Sequence, residues 1–366
     1  MIIVCGEALI DLVPGDRSTY RPRPGGSPAN VAVGLGRLEL EVALLARIAE
    51  DGFGRVLRQH LAESNVDLSL AITSDEPTTL AVVTLDDDGK AEYAFYVDGS
   101  ADGGWHQDEL PAELPGSGAL HVSGSLALGV DSMGDTLEQL LVRERPLRVL
   151  TFDPNLRPAL AHNPTALRER LDHWITLVDV VKIGSDDLEW LAPGEPVDQI
   201  AETWLGRGPS LVVVTLGADG VYALGPDGPI ELLGEVVKVA DTVGAGDSFM
   251  GGFLAYLEEH GNLTKDGLKN ISTPDLTDAL KYAQHIAAIT CSRLGADPPW
   301  KHELEAESAG LGEQPATESE SAAPRQQTTT PSSRATESRA AALSEQAAEP
   351  GKRAATEPRS SSAATS

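Results

Sequence analysis

Short runs of β-branched and other apolar residues alternate along residues 1–305 with longer stretches of helical periodicity. One helical pattern begins at Pro28, and a second runs through "FGRVLRQHLAES". Strands that are apolar throughout, separated by helices, are typical of a parallel sheet with both faces covered. The pattern therefore predicts an α/β fold, a three-layer α/β/α doubly wound architecture with a mostly parallel sheet. The predicted strands read "MIIVCG", "VALLARI", "ALHVSG", "RVLTFD", "VVKIG" and "LVVVTLG".

One region breaks this alternation. Residues 78–97 read "TTLAVVTLDDDGKAEYAFYV", two strand-like runs around the turn signal "DDDG" with no helix between them. A polar, strand-like segment, "LVPGDRSTYRP", occupies residues 12–22. We expect both to belong to a small β-strand lid, with strands at about 12–24 and 76–102, that closes over a ligand at one end of the sheet. A structural hairpin or a dimer contact explains the same pattern.

Composition divides the chain near residue 305. Residues 306–366 are rich in Ala, Ser, Thr, Glu, Gln and Pro, and their only large aliphatic residues are Leu311 and Leu343. Such a segment buries too little apolar area to offset its chain entropy. We therefore expect one folded domain over residues 1–305 and a disordered low-complexity tail over residues 306–366.

The formal net charge is −28, which disfavours nucleic acid and anionic lipid as partners because an acidic surface repels phosphate groups. Cys5 and Cys291 lie far apart in sequence and form no metal or disulfide framework, so a reducing, cytoplasmic location is expected. The amino terminus has no basic segment and meets Glu7 and Asp11 too early for a signal peptide. No apolar run reaches the roughly 18 residues of a membrane span.

The stretch "DTVGAGDSFMGGF", residues 241–253, places a glycine-rich turn directly before an apolar helical pattern. Gly244 and Gly246 allow a tight turn that aims backbone N–H groups at an anion, and the following helix adds the positive end of its dipole. Asp247 lies where a carboxylate can accept a hydroxyl proton. These features are what phosphoryl transfer requires. Taken alone, ordinary helix capping by Asp247 explains the turn as well.

This stretch resembles the carboxy-terminal signature of the ribokinase-like, or PfkB, family of sugar kinases. The amino-terminal signature is present as "GGSPANVAVGLGRL", residues 25–38, and the resemblance extends from "IIVCGEALIDLVP" to "CSRLGA". It implies that Asp247 is the catalytic base and that the turn from Gly244 presents the N–H groups of Ala245, Gly246 and Asp247 as an anion hole. The sugar-binding residues that it implies are Asp11, Gly25, Gly26 and Asn30.

Three further segments resemble parts of the same family. "DPNLR", residues 153–157, follows a predicted strand, and we expect Arg157 to contact phosphate or the lid; a surface ion pair is the alternative. "TLGADGVYAL", residues 215–224, resembles the strand-turn-strand beside the nucleotide, although a plain hairpin explains it as well. "YAQHIAAITCSRLGA", residues 282–296, resembles the helix and loop that flank adenine. The predicted nucleotide-binding residues are Thr215, Gly217, Gly220, Gly246 and Gln284.

The resemblance also implies ATP and Mg²⁺ as cofactors, with K⁺ bound by many members. "VVKIGSDDLEWL" resembles the segment where many members carry an N-x-x-E motif that organises magnesium through water. Here residues 184–187 read "GSDD", so the charge is kept at Asp187 and the Asn is missing. Magnesium is then expected mainly on the ATP phosphates. Asp241, with backbone oxygens near Thr242, is the candidate for a monovalent cation.

Within the family, the quoted segments look most like bacterial fructokinases. This implies transfer of the γ-phosphoryl group of ATP to a hydroxyl of a furanose-like sugar, with fructose to fructose 6-phosphate as the expected case. A ribokinase or a 2-keto-3-deoxygluconate kinase is an alternative, because pocket shape rather than motif separates these enzymes. A non-catalytic sugar-binding regulator is another. By family analogy, the chain is either a monomer or a homodimer joined through the lid strands.

Overall fold

The structure is a computed structural model, and it describes residues 1–16, 18–85, 91–160 and 163–312. Fourteen strands, eleven α-helices and four short 3-10 helices are formed within these residues. The strands are β1 Ile2–Cys5, β2 Leu9–Pro14, β3 Tyr20–Gly25, β4 Val42–Leu45, β5 Arg47–Ala49, β6 Ile72–Ser74, β7 Leu80–Leu85, β8 Ala91–Tyr96, β9 Leu120–Ser123, β10 Leu150–Asp153, β11 Val180–Gly184, β12 Leu211–Thr215, β13 Val221–Gly225 and β14 Gly228–Leu232. The helices are α1 Ser27–Arg37, α2 Gly52–Glu63, α3 Ser125–Gly129, α4 Asp131–Glu144, α5 Pro164–Ile175, α6 Ser185–Leu191, α7 Val197–Leu205, α8 Ala245–Glu259, α9 Lys265–Lys269, α10 Thr273–Cys291 and α11 Lys301–Gly312.

The central sheet has eight strands in the order β14-β13-β12-β11-β10-β9-β1-β4. Every pairing from β4 across to β12 is parallel, and β13 and β14 add an antiparallel hairpin at one edge. Each apolar run predicted as a strand contributes a strand to this sheet. The run "VALLARI" is divided between β4, which lies in the sheet, and the short β5, which pairs with β6 in a separate two-stranded sheet. The mostly parallel sheet predicted from the sequence is confirmed.

Two apolar cores cover the two faces of this sheet. Successive side chains of a strand point to opposite faces, so Ile2 and Val4 of β1 pack in one core and Ile3 and Cys5 in the other. The first core includes residues of α1, α2, α8 and α10, and the second includes residues of α3, α4, α5 and α7. This arrangement is the predicted three-layer α/β/α architecture.

A second sheet of four strands, in the order β3-β2-β7-β8, forms the lid. The segment read as one strand-like run over residues 12–22 is in fact parts of two strands, β2 and β3, which pair antiparallel. A turn separates them, in which the Gly15 N–H donates to the Thr19 carbonyl at 2.8 Å. The hairpin of β7 and β8 is formed as predicted, and its "DDDG" turn, residues 86–89, lies outside the described residues.

Helix α11 carries regular structure past the predicted domain boundary at residue 305. It ends at Gly312, seven residues beyond that boundary. Over the whole of α11 the sequence has three Glu, two Ala and two Leu, and these residues have high helix propensity. Residues 313–366 of the predicted tail lie outside the described residues. Among the described helices, none is long and apolar enough to cross a membrane.

Candidate active site

Helix α8 begins behind the glycine-rich turn, near the carboxyl ends of the central strands. Gly244 precedes it with a φ of 77°, and a Cβ at this position would lie 2.4 Å from the Ala296 Cβ, so both backbone and space require glycine. The Ala245 N–H donates to the Thr242 carbonyl at 3.3 Å. The N–H groups of Gly246 and Asp247 have no backbone acceptor within the described chain, which leaves them available to an anion at the helix start.

Asp247 lies in the first turn of α8 with 8% of its surface exposed. Its Oδ1 accepts a hydrogen bond from Ser27 Oγ at 2.6 Å, and its Oδ2 accepts one from Asn30 Nδ2 at 2.8 Å. Burial raises the pKa of Asp247, and these two hydrogen bonds, which favour the ionised form, oppose the rise. The result is an oriented carboxylate with more than ordinary basicity, which suits a general base.

A cavity of about 320 Å³ opens in front of Asp247, and most of the predicted sugar-binding residues line it. Gly25 is the exception. A Cβ on Gly25 would lie 2.1 Å from Asp11 Oδ2, so this glycine makes room for the Asp11 carboxylate. The residues that line the cavity are Glu7, Leu9, Asp11, Gly26, Ser27, Asn30, Tyr93, Phe95, Ser125, Asn155, Arg157, Lys182, Thr242, Val243, Gly244, Gly246 and Asp247.

Asp11 and Arg157 both line this cavity, and their opposite charges interact. Burial raises the pKa of Asp11 to about 6, the Arg157 guanidinium opposes the rise, and the charge of Asp247 adds to it. Arg157 donates to the Leu156 carbonyl at 2.9 Å, and its guanidinium lies over the Tyr93 ring of the lid at 5.8 Å from the centroid. Arg157 therefore contacts the lid, one of the two contacts expected from the sequence, and it forms no ion pair within the described chain.

Several polar residues of the cavity were not predicted from the sequence, among them Ser27, Lys182 and Glu7. Ser27, within the amino-terminal signature, orients Asp247. Lys182 is 4% exposed and pairs with Asp153 Oδ2 at 2.7 Å; a lysine inside the apolar run "VVKIG" was the signal, because lysine is rarely buried unless paired. Glu7 is 2% exposed, and burial together with the nearby Asp102 raises its pKa well above the ordinary value.

A second cavity, of about 460 Å³, lies on the other side of the glycine-rich turn. Thr215, Gly217, Gly220 and Gln284, predicted to bind the nucleotide, all line it, as do Ala245 and Gly246. Gln284 Nε2 donates to the Leu233 carbonyl at 3.1 Å, so part of its amide already holds the wall of the cavity.

The backbone conformation of the turn after β12 explains why two of these residues are glycines, and it does so without any ligand. Gly220 has a φ of 114°, and a Cβ there would lie 2.0 Å from the Leu232 carbonyl oxygen. Gly217 has a φ of 59° with open space around it. The hairpin that was the alternative interpretation is therefore present, and its turn also borders the second cavity.

A wider cleft of about 1330 Å³ lies beside these cavities and shares residues with both. Arg157 and Lys182 line this cleft and the first cavity, and Thr215 and Gly217 line it and the second. Gly246 lines all three spaces. The free N–H group of Gly246, at the start of α8, therefore lies where the three spaces meet. A chemical group transferred from a ligand in one cavity to a ligand in the other would pass this point.

The two predicted metal-binding carboxylates lie at different places. Asp187 lines the cleft, its Oδ2 accepts from the Leu156 N–H at 3.2 Å, and burial together with Asp153 raises its pKa to about 6. Asp241 accepts from the Val243 N–H at 3.1 Å and from the Gly295 N–H at 2.9 Å, so it ties a neighbouring loop to the glycine-rich turn. Across the described ranges, no group of three or more His, Cys, Asp or Glu side chains is arranged to hold a metal ion.

Comparison with known proteins gives a consistent result. The model of the pfkB family carbohydrate kinases matches residues 1–303. A fructokinase of Rhizobium leguminosarum bv. trifolii is 39% identical over 72% of this chain and 82% of its own length. The solved fructokinase of Xylella fastidiosa with bound ATP superimposes with a TM-score of 0.76 at 25% identity, covering 85% of this chain and 99% of that one.

A double mutant of the Vibrio cholerae O395 fructokinase, solved with fructose, ADP and potassium ion bound, superimposes with a TM-score of 0.71 at 31% identity. The match covers 81% of this chain and 93% of that one. Family match, relatives and solved structures thus agree with the fold described above. The chain belongs to the pfkB family of carbohydrate kinases.

Proposed function

We propose that this chain is an ATP-dependent fructokinase that transfers the γ-phosphoryl group of ATP to the 6-hydroxyl of D-fructose. The observation that carries the proposal is the position of Asp247. Its buried, hydrogen-bonded carboxylate borders the first cavity directly beside the free N–H group of Gly246. The fructokinases among the relatives, one of them with fructose and ADP bound, support fructose as the sugar.

In the proposed reaction, fructose occupies the first cavity and ATP the second. The 6-hydroxyl oxygen forms a bond to the γ-phosphorus while its proton passes to Asp247. The bond from the γ-phosphorus to the bridging oxygen breaks, and its electron pair leaves with ADP. The N–H groups of Gly246 and Asp247 donate to the phosphoryl oxygens, where charge accumulates in the transition state. Asp247 then releases its proton to solvent.

The proposed sugar contacts follow from the lining of the first cavity. Asp11 and Asn30 supply the acceptors and donors that a polyol needs, and Gly26 lets the ring approach the backbone. Tyr93 and Phe95, stacked with ring centroids 6.0 Å apart, present the lid's apolar face to the sugar. A ribokinase or a 2-keto-3-deoxygluconate kinase would use the same base, so the sugar itself is a matter for assay.

Cations are proposed at two places. Mg²⁺, which prefers oxygen ligands and keeps most of its waters, would be held by the ATP phosphates and by Asp187 through water, and would neutralise phosphate charge. The carboxylate chemistry of Asp187 at the cleft fits that role. K⁺ is proposed beside Asp241, whose oxygens each have acceptor capacity beyond the single N–H that they bind.

Residues 1–305 are proposed as the catalytic domain, with the lid as part of it. The lid also supports the proposal of a homodimer, because its outer strands β3 and β8 carry exposed aromatic residues, Tyr20 at 48% and Tyr96 at 62%. Light scattering of the purified chain tests the dimer: a mass of one chain at micromolar concentration would contradict it.

The cysteines Cys5 and Cys291 are both free thiols, which is in keeping with a cytoplasmic location.

A coupled assay of ADP release tests the activity. The full-length chain is incubated with ATP, Mg²⁺ and, in turn, fructose, ribose, 2-keto-3-deoxygluconate and glucose. We expect fructose to stimulate ADP release most strongly. Stimulation by another sugar alone would replace the substrate and keep the kinase, whereas no stimulation by any sugar would leave a sugar-binding regulator as the better interpretation.

A further inference from the structure

Lys182 is a buried lysine at the junction of the cleft and the first cavity, which is proposed above to bind the sugar and is called the sugar cavity below. It belongs to β11 in the middle of the central sheet, and its neighbours Val181 and Ile183 pack in the core on the opposite face. The alternation of side chains along a strand therefore turns Lys182 toward α8. A Cβ on Gly246 would lie 2.8 Å from Lys182 Nζ, so the ammonium group lies against the start of that helix.

The hydrogen bonding of this ammonium group is incomplete. A lysine ammonium has three N–H donors, and within the described chain Lys182 Nζ donates to a single acceptor, Asp153 Oδ2, at 2.7 Å. The side chains of Lys182 and Asp153 are 5% and 2% exposed, so bulk water reaches them little. Lys182 lines both the sugar cavity and the cleft. Donors that the protein leaves unused thus face the space beside the free N–H group of Gly246.

We propose that Lys182 is a catalytic residue whose ammonium group binds the oxygens of the phosphoryl group while it moves from ATP to the sugar. The inference rests on the proposed kinase reaction and adds a cation to the anion hole of α8. No atom is transferred to or from Lys182. Its charge balances the negative charge that the phosphoryl oxygens carry in the transition state, in a site with little water, where such interactions are strong.

A purely structural ion pair explains the geometry less well. Two buried charges held by one hydrogen bond stabilise a fold weakly, because the cost of removing both from water offsets much of their attraction. Such a pair would also be expected to use more of the lysine donors within the protein. In the proposed role, Asp153 fixes the position of the ammonium group, and the remaining donors are reserved for the substrate.

The test replaces both charges together so that neither is left buried alone. In the variant Asp153→Asn/Lys182→Met, we expect kcat to fall by about 10²–10³-fold, the loss typical of one transition-state donor, with the fructose KM within about threefold of wild type. Asp153→Asn alone keeps the ammonium group and should retain at least about a tenth of the wild-type kcat. Should the Met variant fail to fold, Asp153→Asn/Lys182→Gln repeats the test with an uncharged polar side chain.

A matched control exists at another Lys–Asp pair. Lys265 Nζ lies 2.7 Å from Asp179 Oδ2, and neither residue lines the three spaces described above. The variant Asp179→Asn/Lys265→Met should keep the wild-type kcat, which shows that loss of a Lys–Asp pair does not by itself abolish turnover.

Binding of a transition-state mimic gives a second readout that does not depend on turnover. In the presence of fructose and Mg²⁺, aluminium fluoride should tighten ADP binding to the wild-type chain, and this gain should be lost when Lys182 is replaced. A variant lacking the lysine that keeps both the wild-type kcat and the gain would overturn the proposal. If the wild-type chain itself shows no sugar-dependent ADP release, the proposed function fails instead.

Discussion

Replacing Asp247 with Asn removes the proposed base while keeping its shape. The amide can still accept from Ser27 through its oxygen, but its NH₂ group meets the Asn30 NH₂, so about one hydrogen bond is lost, worth roughly 1 kcal/mol. Loss of a general base costs about 10²–10⁴ in rate, which is roughly 3–5 kcal/mol at 1.36 kcal/mol per tenfold. The chemical loss exceeds the structural one, so we expect kcat to fall at least about 10²-fold with the fructose KM within a few-fold.

At neutral pH the same substitution should lower stability by less than the lost hydrogen bond alone would cost. Burial raises the folded-state pKa of Asp247, so the ionised form is disfavoured in the fold, and stability falls as the pH rises from the unfolded pKa to the folded one. A neutral Asn removes that cost. Steady-state ADP release and thermal unfolding at pH 7 measure the two effects, with Asp278→Asn on the surface of α10 as control. Wild-type turnover, or a loss confined to KM, would refute the assignment of Asp247 as the base.

Other variants test the neighbours of this base. Asp11→Ala should raise the fructose KM at least about tenfold with the ATP KM nearly unchanged, and an unaltered fructose KM would remove Asp11 from the sugar site. Ser27→Ala removes a hydrogen bond that lowers the pKa of Asp247, so the acid limb of the kcat–pH profile should move to higher pH; a fixed limb would contradict this. Gly246→Ala places a methyl group 2.8 Å from Lys182 Nζ and should lower kcat at least about tenfold. Normal turnover would show that the close approach of Lys182 to the backbone of Gly246 is not needed for catalysis. Truncation after residue 312 should leave kcat and both KM values unchanged, and a loss of activity would give the tail a role.

The sequence was most informative where apolar runs and glycine turns dictate the backbone. Continuous apolar strands such as Ile2–Cys5 predicted the parallel sheet, because both faces of such a strand have to be covered. The turn at Gly244 predicted the start of α8. The lid was harder to predict, because β3 is polar and mostly exposed, and a single strand-like run over residues 12–22 concealed the turn between β2 and β3.

The site was predicted less completely than the fold. Asp247, Asn30 and Asp11 stood in stretches that resemble family signatures, so their positions were expected. Lys182 and Glu7 were missed because local pattern does not show which charged residues meet across the sheet. Lys182 meets Asp153 only when β10 and β11 pair, and the electrostatic coupling of Glu7 with Asp102 depends on a segment almost a hundred residues away.

A structure of this chain with fructose and a non-hydrolysable ATP analogue tests the central claim most directly. We predict that the fructose 6-hydroxyl oxygen lies about 2.6–3.2 Å from an Asp247 carboxylate oxygen and that the γ-phosphate stands over the Gly246 N–H. A sugar bound with every hydroxyl group out of reach of Asp247, or a γ-phosphate remote from Gly246, would contradict the mechanism.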